Sequence, residues 1–274
     1  MIKQISTLLL SVGIAACCCI TGSFGAKTAK AAEQKYLVND YFGGGEQFPG
    51  EETISYAYKK TSAEGEIKSR VPDFHTMEGG GSCANVAGAI MIAYYDRFCE
   101  NLVPDYTTYR LILGNISYKG ISSQTLGVMS SLYSLMGTDS DGTTFNGYQD
   151  GMRKYVQSHG YSYSYADVGN INWNTYVSSI NNQRPIAIFL SKYTFLSVIK
   201  TNDNVDTILT NTTYVGHVVI AYGYEIEEYY NSNNELIAKR NYLKVASGFR
   251  DEGLAYLCLD GKSTIERAIY TYIY

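Results

Sequence analysis

Histidine is scarce in this chain, three residues in 274, and neither a Cys-x-x-Cys pair nor a His-Glu-x-x-His run occurs. Zinc ligation at its usual spacings is thereby excluded. No run of Lys or Arg is present, and 26 acidic against 22 basic residues leave a net charge of -4. Without a basic stripe to track phosphates, nucleic acid is not an expected partner. Beyond the first 31 residues no segment approaches the ~20 uninterrupted apolar residues of a spanning helix, so the mature chain should have no stable membrane span. Trp occurs once and Phe nine times, against 27 Tyr. A ring with a hydroxyl tip tolerates half-buried, wet positions, which suits an exposed, β-rich protein without identifying a ligand.

Two further motifs are incomplete. Gly261-Lys262-Ser263 resembles the end of a phosphate loop, but Tyr256 stands where the earlier glycine is required. Asp139-Ser140-Asp141-Gly142 lacks the third ligand before the glycine and the closing Glu of a calcium loop. No cofactor is expected.

What is present begins with a targeting segment. Lys3 supplies positive charge, residues 8 to 20 are largely apolar, and Ala29-Lys30-Ala31 is a small-x-small cleavage signal, so export with cleavage before Ala32 is expected. Ile14-Ala15-Ala16-Cys17 offers a rival reading as a bacterial lipoprotein signal, in which Cys17 would carry lipid. Cleavage after residue 31 removes Lys3, Lys27 and Lys30 and no acid, taking the net charge from -4 to -7. A secreted or cell-surface location follows from either reading.

Cys17, Cys18 and Cys19 leave with that segment, and Cys83, Cys99 and Cys258 remain. Three is an odd number, so at least one thiol has no internal partner and is either inert in a core or reactive. Cys83 and Cys99 lie on what reads as one helix, roughly 24 Å apart, beyond disulfide reach. Only Cys99 with Cys258 could bridge, and both fit equally well as buried apolar thiols.

With 45% hydrophobic residues the chain can bury a sizeable core. Residues 32 to 70 are polar and aperiodic, an N-terminal extension, a pro-segment or a peripheral hairpin. The loop from His75 to Ser82, with Gly79-Gly80-Gly81, then leads into a stretch from Cys83 to Tyr94 that is apolar nearly all round. That pattern describes a helix in the middle of a domain, with Ser82 at its N-cap position. Helices are also expected over residues 123–136, 146–158 and about 172–181. Strands are expected over 185–190, 216–225, 242–246, 254–259 and 268–274, where β-branched and aromatic residues alternate with Asn, Asp and Gly clusters. Helices first and an antiparallel sheet second is an α+β order, and no repeat or linker divides residues 71 to 274.

A thiol at the first turn of a helix is favoured as thiolate by unpaired N–H groups and the helix dipole. Cys83 occupies such a position. Of the three histidines, only His217 opens a strand, with Gly216 before it for access. The two are 134 residues apart, inside the roughly 130–150 residues that separate Cys from His in papain-like peptidases. His159 reads as a helix-end residue followed by Gly160, His75 as a loop residue, and Trp173 as a core anchor. Cys83 alone could be a small apolar core residue and His217 alone a hydrogen-bonded core histidine.

The segment Gly81-Ser82-Cys83-Ala84-Asn85-Val86-Ala87-Gly88-Ala89 into Tyr94-Tyr95-Asp96, then Trp173 with Arg184-Pro185-Ile186, then Gly216-His217-Val218-Val219 and Tyr222-Gly223-Tyr224, resembles the bacterial C39-like branch of the papain-like cysteine peptidases. The resemblance covers roughly residues 71 to 260. It implies a papain-like α+β fold, a helical half with a central Cys-bearing helix packed against an antiparallel β half. It also implies attack by Cys83 on a peptide or isopeptide carbonyl, with His217 shuttling the proton. The family's oxyanion Gln has no counterpart, since Met77 stands about where it belongs and no Gln lies between Gln47 and Cys83. The orienting Asp or Asn is replaced near Ala246-Ser247-Gly248-Phe249 by Ser247, whose hydroxyl could accept from the imidazole; Asp251 is an alternative. An extracellular peptide or protein is the expected substrate, and a monomer is compatible with the sequence. Two other readings stay open: a catalytically impaired binding module at the cell surface, and a peptidoglycan amide hydrolase.

Overall fold

The computed structural model describes residues 46–75, 83–169, 172–250 and 254–274. The expected signal segment, Met77, Ser82 and Asp251 lie outside them. The described residues form a mixed α/β fold with four helices and a mostly antiparallel sheet. The helices are α1 (Cys83–Tyr95), α2 (Ser123–Leu135), α3 (Phe145–Ser158) and α4 (Trp173–Asn181).

The strands are β1 (Gln47–Ser55), β2 (Tyr58–Glu66), β3 (Tyr109–Ile112), β4 (Asn115–Tyr118), β5 (Tyr163–Asp167), β6 (Ile186–Asn202), β7 (Val205–Thr213), β8 (His217–Tyr230), β9 (Leu236–Ala246), β10 (Leu254–Cys258) and β11 (Thr264–Ile273). Nine make one sheet, in the order β1-β7-β6-β10-β9-β8-β2, with β11 joining β6 to β5. The start of β6 also pairs with the start of β8, Leu190 opposite His217. β3 and β4 stand apart as a two-stranded hairpin.

The helices begin where side chains can satisfy their free N–H groups. Ser122 and Thr125 form a capping box on α2, Thr144 accepts from Gly147 N–H on α3, and Asn172 accepts from the N–H groups of Asn174 and Thr175 on α4. α1 is different. Its residues Ala84 to Tyr94 are all buried, as its unbroken apolar run requires, and it packs on α2, α3 and β8. Close approach is possible because Gly88 has no side chain: a Cβ there would lie 2.9 Å from Met136 Cε and 3.0 Å from Met152 Sδ.

Several elements are longer or more integrated than the sequence pattern indicates. Within the polar 32–70 stretch, β1 and β2 do not pair with each other but sit at opposite ends of the sheet, against β7 and β8. β1 alternates between exposed and more buried residues over its second half and β2 is exposed over its first five, as befits edge strands, which bury little apolar surface and so leave a weak trace in sequence. The sheet carries more of the chain than the helices do, so the fold is richer in strand than two equal halves would be. Cys99 and Cys258 are free, buried thiols in different apolar clusters and form no disulfide.

Candidate active site

Cys83 is the first residue of α1 and His217 the first of β8, and these two elements pack together. Register explains what surrounds His217. Ile220 pairs with Ala246 across β8 and β9; continued outward, that antiparallel register sets the start of β8 beside residues 247 to 249. There His217 Nε2 lies 2.8 Å from the backbone carbonyl oxygen of Ser247. The imidazole lies flat on the Phe249 ring, centroids 4.5 Å apart at 7°, and Tyr193 packs against it at 5.0 Å.

The Ser247 hydroxyl has a different task from the one its position suggests. Its Oγ accepts from the Phe249 N–H at 3.1 Å, closing a tight turn through Gly248, whose φ of +77° favours glycine. The atom facing the imidazole is therefore the carbonyl, which fixes a tautomer. A carbonyl oxygen only accepts, so Nε2 carries the proton and Nδ1 holds the free lone pair.

Around the sulfur, the backbone N–H groups of Val218, Ala84 and Cys83 favour the thiolate, but burial outweighs them and pushes the thiol above its ordinary range. Burial likewise lowers His217 from 6.5 to about 4, an effect the Ser247 carbonyl only partly opposes. Near neutral pH both groups are uncharged. Among the described residues the nearby backbone N–H groups are what favours the thiolate, and no hydrogen bond joins the sulfur to the imidazole.

Comparison with solved structures finds a crystal structure from Bacillus anthracis described as a "putative C39-like peptidase", with a TM-score of 0.39 and 13% sequence identity over 76% of this chain and 97% of that one. No family model matches the sequence. No curated protein matches it either.

The remaining residues singled out from sequence take supporting positions. His159 caps α3, its Nδ1 2.8 Å from the Tyr155 carbonyl and its ring stacked on Tyr155. Trp173 is half-buried and stacks on Tyr176. Asp139 and Gly142 bond each other across a turn. Among the described residues no cluster of three or more His, Cys, Asp or Glu could hold a metal ion, and no helix is long and apolar enough to cross a membrane. The residues that sequence reading missed are Tyr193 and Val218. Tyr193 is one of 27 tyrosines and reaches His217 only through strand pairing; Val218 acts through its main chain, which no residue type reveals.

Proposed function

We propose that the chain is an exported cysteine-type amide hydrolase of the papain-like, C39-like kind, with Cys83 as nucleophile and His217 as general base. The observation that carries this reading is the hydrogen bond from Nε2–H to the Ser247 carbonyl. It leaves Nδ1 as the basic atom, on the strand that packs against the Cys83 helix and whose Val218 N–H favours the Cys83 thiolate.

The thiol transfers its proton to Nδ1 as the sulfur attacks the amide carbonyl carbon. The resulting imidazolium protonates the leaving amine, and a thioester remains on Cys83. Water, deprotonated by Nδ1, then attacks the thioester, releasing the carboxylic product and restoring the thiol. Backbone N–H groups at the start of α1 stabilise the oxyanion. Met77 stands about where an oxyanion Gln would be, and one missing donor typically costs ~100- to 1000-fold in rate. A base held near pH 4 is fully available at neutral pH but has little drive to take a proton. Turnover is accordingly slow, and a peptide or protein outside the cell is the substrate.

Labelling with a peptidyl electrophile, with the adduct located by mass spectrometry, tests the assignment. The adduct belongs on Cys83 and disappears in Cys83→Ala, and His217→Ala slows it. Preferential labelling of Cys99 or Cys258 rejects the enzyme. Labelling of Cys83 at the rate of an ordinary free thiol, without peptide hydrolysis, favours the impaired binding module, which the two uncharged groups would also suit.

A further inference from the structure

The β3–β4 hairpin stands apart from the main sheet and ends in aliphatic side chains. Leu113 is 98% exposed, Leu111 68% and Ile112 45%. Ile112 pairs with Asn115, so the turn is the two-residue Leu113-Gly114, with φ of +50° and +81°. A two-residue hairpin turn with positive φ at both positions selects Asn, Asp or Gly at the first. Here a leucine occupies it, accepting backbone strain while burying nothing. Folding of this chain gains nothing from that choice.

The base of the hairpin is held to the body. Tyr118 packs against the main core, and β4 lines a cleft of about 600 Å³ with Glu66, Lys68, Arg70 and Asp73. The tip is thus presented on an anchored stalk. Charge on the hairpin itself is one-signed, the acids Glu66 and Asp73 lying across the cleft at its base. Residues 106 to 138 contain no Asp or Glu, in a chain with 26, and they include Arg110 and Lys119 on the hairpin and at its end. Arg110 is exposed one residue before Leu111, and Tyr109 stands half-buried at the root. An aliphatic apex, one cation beside it in Arg110, and Tyr109, Tyr118 and Lys119 at the root form a sequence of chemistries suited to passing from acyl chains through headgroups to water.

We infer that the tip of the β3–β4 hairpin, Leu111 to Leu113 with Arg110 beside it, is a membrane-docking element that inserts into the interface of a bilayer bearing anionic phospholipids. Four residues of strand reach roughly 13 Å, enough for the ~5–10 Å of the headgroup and acyl boundary. Deeper entry is barred, since among the described residues no further strand pairs with the outer edges of β3 and β4, whose backbone groups need headgroups or water. The inference is independent of the chemistry at Cys83.

Trp173 is the chain's single tryptophan, which makes the test direct. Full-length Leu113→Trp is mixed with equimolar phosphatidylcholine and phosphatidylglycerol vesicles carrying brominated acyl chains. The introduced indole should shift to the blue and be quenched, while the unaltered protein, reporting only Trp173, should not change. Ile112→Ser with Leu113→Ser should weaken co-sedimentation with those vesicles at least about tenfold, and Arg110→Gln or added salt should weaken it further. An unquenched indole, undiminished binding of the serine variant, or a Leu113-dependent dimer in sedimentation velocity without vesicle binding would overturn the inference.

Discussion

His217 donates its Nε2 proton to the main-chain carbonyl of Ser247, 2.8 Å away, and not to the Ser247 side chain. Loss of the hydroxyl therefore leaves the acceptor in place. Ser247→Ala should keep peptide hydrolysis within about tenfold of the unaltered protein and cost about 1 kcal/mol of stability through the lost bond to Phe249 N–H. A loss as large as that of His217→Ala in a steady-state assay would return the orienting role to the hydroxyl.

Gly248 makes the turn that aims that carbonyl. At φ +77°, with a Cβ that would meet Val86 Cγ1 at 3.4 Å, any side chain there is strained. Gly248→Ala should lower the unfolding free energy by about 1 kcal/mol or more, and reduce Cys83 labelling more than Ser247→Ala does. Denaturant titration and labelling rates read the two effects separately.

His217 also makes stability depend on pH. Its folded value of about 4 lies below the ordinary 6.5, so between these limits the unfolded chain binds the extra proton and stability rises with pH. The contribution is fully present above about 6.5 and is lost as pH falls through about 4, amounting to about 3 kcal/mol. The difference in unfolding free energy between pH 7 and pH 4.5 should shrink by about 2–3 kcal/mol in His217→Asn. An NMR titration showing this imidazole protonated at pH 6 would contradict the burial argument.

The thiol gives the complementary profile. Because burial raises Cys83 and no imidazolium accompanies it at rest, alkylation by iodoacetamide should climb with pH only above the ordinary thiol range near 8.5. A rate plateau between pH 5 and 7 would instead reveal a thiolate–imidazolium pair.

Away from the site, Asp206 anchors the outer end of the sheet. Its carboxyl is fully buried and accepts from Lys59 Nζ at 2.7 Å, Thr201 Oγ1 at 2.7 Å, Tyr56 OH at 2.9 Å and Tyr229 OH at 3.1 Å. Burial alone would raise it, but these donors together hold it below the usual carboxylate range. Asp206→Ala removes the shared acceptor of four donors, of which Tyr229 keeps Glu227 and the partly exposed Lys59 keeps water, and should cost about 3 kcal/mol, measured by thermal or denaturant unfolding.

The sequence by itself determined the helix that begins at Cys83, since a run apolar on every face must be buried. It also determined the strand that begins at His217 and the helices α2, α3 and α4, whose caps and periodicity are local. It did not reveal β1 and β2 as members of the main sheet, or the exposed apolar tip of the β3–β4 hairpin, because edge strands and short hairpins bury too little to impose a pattern. Only the tertiary structure decided what faces the imidazole. Register across β8 and β9 brought the carbonyl of Ser247 and the ring of Phe249 to His217, and strand pairing brought Tyr193. A main-chain oxygen is the same in every residue, so its role can be read only once the chain is folded.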